Sequence, residues 1–290
     1  MSEDYSVIEY PGGVTAIDSG YVRENMAACY LVEAETEVAI IETGTNNSTP
    51  RLVETLQNRG WDVEQVKYVI VTHVHLDHAG GAGSLMHLLP RAKLLVHPYG
   101  ARHMIDPARL EAGSRVVYGD ELFDRLYGKL VPVAEARTRA MQDGETVKLG
   151  SRRLRFIDTP GHARHHFCVH DSLTNGWFTG DTFGLSYREF DTVNGAFMIP
   201  TTTPVQFDPV ALKASIVRLA ADKPDCMYLT HYGRVENVQQ LAGEMVEGVS
   251  ALAGFGEKYE DDPARSQKIE AAIKDWLMTR LREHGVTLSE

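Results

Sequence analysis

The segment KYVIVTHVHLDHAGGAG, residues 67–83, constrains this chain more than any other. KYVIV is a near-continuous β-branched run, which predicts a buried strand. THVHLDH follows at once and packs three histidines and an aspartate into six residues. Alternate side chains of an extended segment point the same way, so His73, His75 and Asp77 share a side as the strand runs out. A helix would set residues 73 and 75 on nearly opposite faces. His78 stands where the next helix begins and can swing in from that turn. Gly80, Gly81 and Gly83 have no Cβ, so backbone there can approach a bound group closely. Imidazole and carboxylate donors suit zinc or iron(II). A lone histidine is ordinarily a satisfied surface or core residue. Three with an aspartate at strand-compatible offsets would be expensive to bury without a metal.

Around this segment strand and helix alternate, the pattern of an α/β fold. EVAIIE, residues 37–42, reads as a strand closed by Thr43-Gly44. Ser48-Thr49-Pro50 opens a helix with Leu52, Val53 and Leu56 on one face and a stop at Gly60. AGGAGSLMHLLP reads as a short helix and AKLLVH as a strand. Residues 98–129 read as a polar helical excursion with Val116, Val117, Leu122, Phe123 and Leu126 as its apolar stripe. LRFIDT, HHFCVH and GWFTG are three short strands, Asp208-Pro209 opens a helix, and CMYLT is the last clear strand. Two helical stripes follow. One runs from Val235 to Leu252, and the other, after Asp262-Pro263, carries Ile269, Ile273, Trp276, Leu277 and Leu281.

Composition narrows the function. A formal net charge of −11, with no Lys/Arg run, argues against a nucleic-acid partner. No apolar stretch is long enough to span a bilayer, and MSEDYSVIEYPGG carries no apolar signal core. Cys29, Cys168 and Cys226 are far apart and odd in number, so free buried thiols in a reducing, cytoplasmic compartment are expected.

Further ligand candidates stand at later strand ends: His162 in TPGH, Asp181 in GDT and His231 in LTHYG. With THVHLDH they form an ordered set spanning residues 42–231 that resembles the metallo-β-lactamase-fold superfamily. The resemblance implies an αββα four-layer sandwich with metals in a cleft at one edge. It implies a fold domain over residues 1–233, with the excursion near 98–129, and a C-terminal helical extension over 234–290. It also implies one metal on His73, His75 and His162, a second on Asp77, His78 and His231, and Asp181 bridging them. Asp77 as a ligand favours the dinuclear hydrolase branch, such as glyoxalase II and the lactonases. Two departures stand out. The first family motif usually ends in Asp, and here IIETG offers Glu42 to orient a ligand imidazole from behind. The glyoxalase II-like pattern PGHTxGH is here PGHARHH, which keeps His166 but changes Ala163 and His165. His165 and His170 read as strand residues, and His87, His97, His103 and His284 read as structural.

Two zinc or iron ions about 3.5–4 Å apart can share a hydroxide that needs no side-chain base. Attack on a small-molecule thioester, lactone or other ester follows, with Asp77 and Asp181 as the catalytic carboxylates. Residues 183–209 suit a loop over the cleft, and Tyr187, Arg188 and Tyr232 are the candidate substrate contacts. The C-terminal helices either roof the site or form a homodimer seam. The alternatives are an iron-dependent oxidoreductase of the same fold, of persulfide dioxygenase type, and a signalling protein with vestigial esterase activity.

Overall fold

The computed structural model describes residues 5–203 and 206–287. The reading of the N-terminus therefore rests partly on residues 1–4, outside that range. The first sheet has seven strands in chain order: β1 (Val7–Tyr10), β2 (Val14–Asp18), β3 (Ala28–Ala34), β4 (Glu37–Ile41), β5 (Val66–Ile70), β6 (Lys93–Val96) and β7 (Thr138–Ala140). β1 to β4 pair antiparallel and β4 to β7 parallel. The second sheet holds β8 (Thr146–Leu149), β9 (Arg152–Asp158), β10 (Phe167–Asp171), β11 (Gly176–Phe178), β12 (Cys226–Leu229) and β13 (Gly233–Val235), in the spatial order 13-12-11-10-9-8. Only the β11–β12 pair is parallel.

The helices are α1 (Thr49–Asn58), α2 (Leu76–Ala79), α3 (Ala82–Leu88), α4 (Pro98–Ile105), α5 (Ala108–Tyr118), α6 (Asp120–Leu126), α7 (Pro209–Ala221), α8 (Val238–Lys258) and α9 (Arg265–His284). Strand alternation divides the apolar residues among layers. Ile41, Ile70, Tyr30, Phe156, Phe178 and Tyr228 fill the space between the sheets. Ile40, Val69 and Leu31 point outward, against Leu52 and Leu56 of α1 and Leu85 of α3. On the far side Trp177, Met227 and Leu229 meet Leu212 and Ile216 of α7 and Met245 of α8. This is the expected four-layer αββα sandwich, with a C-terminal helical segment packed against it. No helix among the described residues is long and apolar enough to cross a membrane. The three cysteines are free and buried, and burial raises the thiol pKa of each.

Several expectations change. Val116 and Val117 do not face the core; they are 87% and 77% exposed. The excursion holds three helices, and Gly119, at φ +73, separates α5 from α6, so one periodicity does not run through it. Phe123 alone of the expected stripe is fully buried, joining Leu76, Tyr127 and Leu130. CMYLT is not the last strand, because β13 pairs with it and reaches Val235. β1, β2, β3, β7 and β8 went unread.

The parallel strands β4, β5 and β6 end at one edge, where α/β sheets present their loops to ligands. β9, β11 and β12 run in a common direction and end at the facing edge. The two edges are laced together. Phe167 N–H donates to the Thr72 carbonyl at 3.0 Å, and Ala28 N–H to the Thr230 carbonyl at 2.8 Å.

Candidate metal centre

Seven side chains converge where these strands end. The backbone leaving β5 carries His73 and His75, and the first turn of α2 carries Asp77 and His78. The turns after β9, β11 and β12 supply His162, Asp181 and His231. His73 Nε2 and His162 Nε2 lie 2.9 and 3.1 Å from His75 Nδ1. Asp77 Oδ2 lies 3.6 Å from His78 Nε2 and 3.4 Å from His231 Nε2. Asp181 spans both groups: Oδ2 is 3.3 Å from His162 Nε2, and Oδ1 is 3.2 Å from His78 Nε2 and 3.6 Å from His231 Nε2. The structure thus gathers the two triads that the motifs imply, with Asp181 between them.

Four of the five rings are held from behind. His73 Nδ1 is 3.1 Å from Thr72 Oγ1, whose hydroxyl donates to Glu42, so the histidine is the donor in that contact. His162 Nδ1 meets Thr201 Oγ1, which itself donates to the Asp181 carbonyl. His231 Nδ1–H donates to the Met26 carbonyl at 2.8 Å, and His78 Nδ1–H to Glu42 Oε1 at 3.2 Å. These bonds fix the proton on Nδ1 and leave an Nε2 lone pair facing the centre on all four rings. The Nε2 lone pairs of His73 and His162 both face His75 Nδ1, at 2.9 and 3.1 Å, where a single proton would serve two acceptors and a cation would serve all three nitrogens. His78 Nε2 and Asp181 Oδ1 are buried and have no hydrogen-bond partner among the described residues. A divalent cation would satisfy both.

The charge balance agrees. Burial drives His73 and His75 toward the neutral form, and it holds His162 down at about 4. Burial also opposes charge on Asp77 and Asp181, but His78 and its neighbours outweigh it and keep both ionised. His78 and His231 are pulled toward the protonated form by the two carboxylates, against their own desolvation. The pocket demands positive charge, which metal ions would supply at the carboxylates without protonating the rings.

Glu42 stands behind His78, where the usual Asp is expected. Its carboxylate touches the Thr72 amide and hydroxyl, His78 Nδ1 and Thr230 Oγ1. Glu42→Gln is expected to weaken zinc affinity roughly 10–100-fold, read by competition with a chelator. Unchanged affinity would remove Glu42 from the site. His166 lies behind Asp181, accepting its amide at Nε2 over 3.1 Å. Tyr187 is half-buried, with the Arg23 guanidinium 4.6 Å above its ring, within the electrostatic reach of Asp181 and Asp77.

Four readings need correction. Tyr232 is 1% exposed and packs in the core between the sheets, so it cannot meet a substrate. Arg188 is spent on its own loop, bonding the Ser186 carbonyl and hydroxyl and pairing with Asp191. Gly80, Gly81 and Gly83 approach other backbone, the carbonyls of Leu76, Thr45 and Val131, and not the centre. His165 precedes β10 and is no strand residue: its ring lies 6.2 Å from His73 in a stack and 5.5 Å from His75 edge-on. An unusual third histidine in PGHARHH was its only sequence signal.

A two-sheet sandwich with a histidine–aspartate centre at one edge defines a metal-dependent hydrolase class. Residues 22–231 match the sequence profile of the metallo-beta-lactamase superfamily, and the chain belongs to that family. It is 29% identical over 228 residues to the metallo-beta-lactamase fold-containing protein ST1585 of Sulfurisphaera tokodaii, covering 77% of this chain and 79% of that one. The crystal structure of ST1585 superposes with a TM-score of 0.67, at 27% identity over 93% of this chain and 98% of its own. The human acyl-coenzyme A thioesterase MBLAC2 is 28% identical over 173 residues, 56% of this chain and 60% of that protein.

Proposed function

We propose that the protein binds two divalent ions, zinc or iron, and hydrolyses an ester-type bond in a small molecule, a thioester foremost. The placement of Asp181 carries this reading: one carboxylate oxygen faces each histidine group. The likeness to a named acyl-coenzyme A thioesterase supports the choice of thioester.

When bound, a metal pair supplies an activated water at neutral pH and a Lewis acid for the carbonyl oxygen. The chain's own residues do the rest. Histidines locked in one tautomer hold the donors at fixed positions, which spares reorganisation during reaction. Asp77 is 21% exposed, so its carboxylate reaches the open side and can take a proton from water and return it to the leaving group. Burial raises the Tyr187 pKa, so its phenol stays protonated and can donate to the substrate carbonyl oxygen.

A panel of acyl thioesters, lactones and phosphoesters tests this, run beside oxygen uptake with glutathione persulfide. Thioester cleavage lost on chelation and restored by zinc or iron is expected. Oxygen consumption without hydrolysis would reject the hydrolase in favour of an iron dioxygenase. The α9 stripe of Ile269, Ile273 and Leu277 lines an open apolar groove, which supports a homodimer seam. A monomeric mass by light scattering would reject that pairing. Free buried thiols fit a cytoplasmic enzyme, which cell fractionation would check.

A further inference from the structure

A cavity of about 260 Å³ lies at the edge of the sandwich where β6 and β9 end, the edge that also carries the metal centre. Phe167 of its lining donates its N–H to the Thr72 carbonyl at 3.0 Å, one residue before His73, and His165, two residues before Phe167, has its ring 5.5 Å from that of His75. Phe156 and Phe167, both fully buried, form the apolar floor. His97 is nine-tenths buried and has both ring nitrogens engaged. Nδ1 accepts the Tyr99 amide at 3.2 Å, so Nε2–H donates to Asp158 Oδ1 at 3.0 Å. Asp158 is thereby aimed, with Oδ2 left without a partner among the described residues. The other carboxylate of the lining, Asp143, pairs with Arg218 at 2.9 Å, and the second guanidinium nitrogen of Arg218 donates to the Asp158 backbone carbonyl at 3.2 Å, not to its carboxylate. Tyr99 stands at the mouth, 67% exposed, and the side-chain carboxamide of Gln142 has no hydrogen-bond partner among the described residues.

A carboxylate oxygen without a hydrogen-bond partner, an exposed aromatic ring and an apolar floor are what an alkylammonium group needs: a charge partner, a π face and a place for its methylenes. We propose that this cavity is a substrate subsite selecting a group that ends in a primary ammonium, so that the preferred ester or thioester carries an amine on the part reaching past His165. The kinetic half of this inference rests on the proposed hydrolysis. The binding half does not.

The test therefore has two arms, both on the zinc-loaded full chain. In the first, n-butylammonium, n-butanol and butyrate are titrated while the His97 ring nitrogens are followed by NMR. Butylammonium is expected to shift them saturably, at least about 10-fold more tightly than butanol, with no response to butyrate. Asp158→Asn is expected to abolish the difference, and Tyr99→Leu, at an exposed position, to shrink it roughly 3-fold. In the second arm an ω-aminoacyl thioester is expected to exceed its isosteric alkyl analogue about 10-fold in kcat/KM, and Asp158→Asn to bring that ratio near one. Equal binding of the amine and the alcohol, a response to butyrate instead, or a preference that survives both substitutions would overturn the subsite. Selective butylammonium binding without thioester turnover would retain the subsite and reject the thioester reading.

Discussion

Asp181→Asn is expected to leave the protein folded, to drop its metal content from two ions to at most one, and to cut thioester hydrolysis by at least roughly 10³-fold. The effect is large because this carboxylate has no substitute. Its oxygens point to opposite sides, Oδ2 toward His162 and Oδ1 toward His78 and His231. An amide keeps the shape, but it removes a negative charge from a buried cluster of five histidines and offers one acceptor where two are used. The loss is roughly 4 kcal/mol of transition-state stabilisation at 1.36 kcal/mol per tenfold. Elemental analysis, circular dichroism and initial rates on one preparation check it. Two bound ions and intact turnover in the variant would reject the bridging role.

What could be read in advance follows from chemistry that is local in sequence. THVHLDH declares itself because a buried strand runs straight into four metal-type side chains, and no packing need explains them. His162, Asp181 and His231 each follow a strand end by two to four residues, so each strand's exit fixes its ligand's place. Glu42 is legible on the same ground, one residue past β4. Features that depend on partners far along the chain were not legible. The direction of Tyr232 depends on the packing of two sheets, not on its adjacency to His231. Arg188 is captured by Ser186 and Asp191, a turn that no periodicity announces. β1, β7 and β13 are short edge strands with three or four residues each, too few to show an alternation. His165 acts through its stacking on His73, set by how the turn before β10 crosses the end of β5.

That turn supplies the second large effect. Gly161→Ala is expected to destabilise the protein by roughly 2–5 kcal/mol and to weaken metal binding at His162, although the substitution touches no ligand. Gly161 sits at φ +131, a conformation L side chains rarely adopt. An added Cβ would stand 2.2 Å from the amide nitrogen of Leu212 and 2.3 Å from its Cα. Neither side can yield cheaply. Leu212 is fully buried in the layer between α7 and the second sheet. The turn and α7 are also stitched together: Asp208 N–H donates to the Gly161 carbonyl and Ser215 Oγ to the Pro160 carbonyl, each at 2.8 Å. The turn must move instead, and the next residue, His162, moves with it, spoiling the approach of its Nε2 to His75 and Asp181. Gly144→Ala is the control, since Gly144 has a positive φ with nothing within 4 Å of an added Cβ. It carries only the backbone term, about 1 kcal/mol. Denaturant midpoints and zinc affinities for the two variants separate strain from collision. If Gly161→Ala matched Gly144→Ala in both, α7 would not be what holds His162 in the centre.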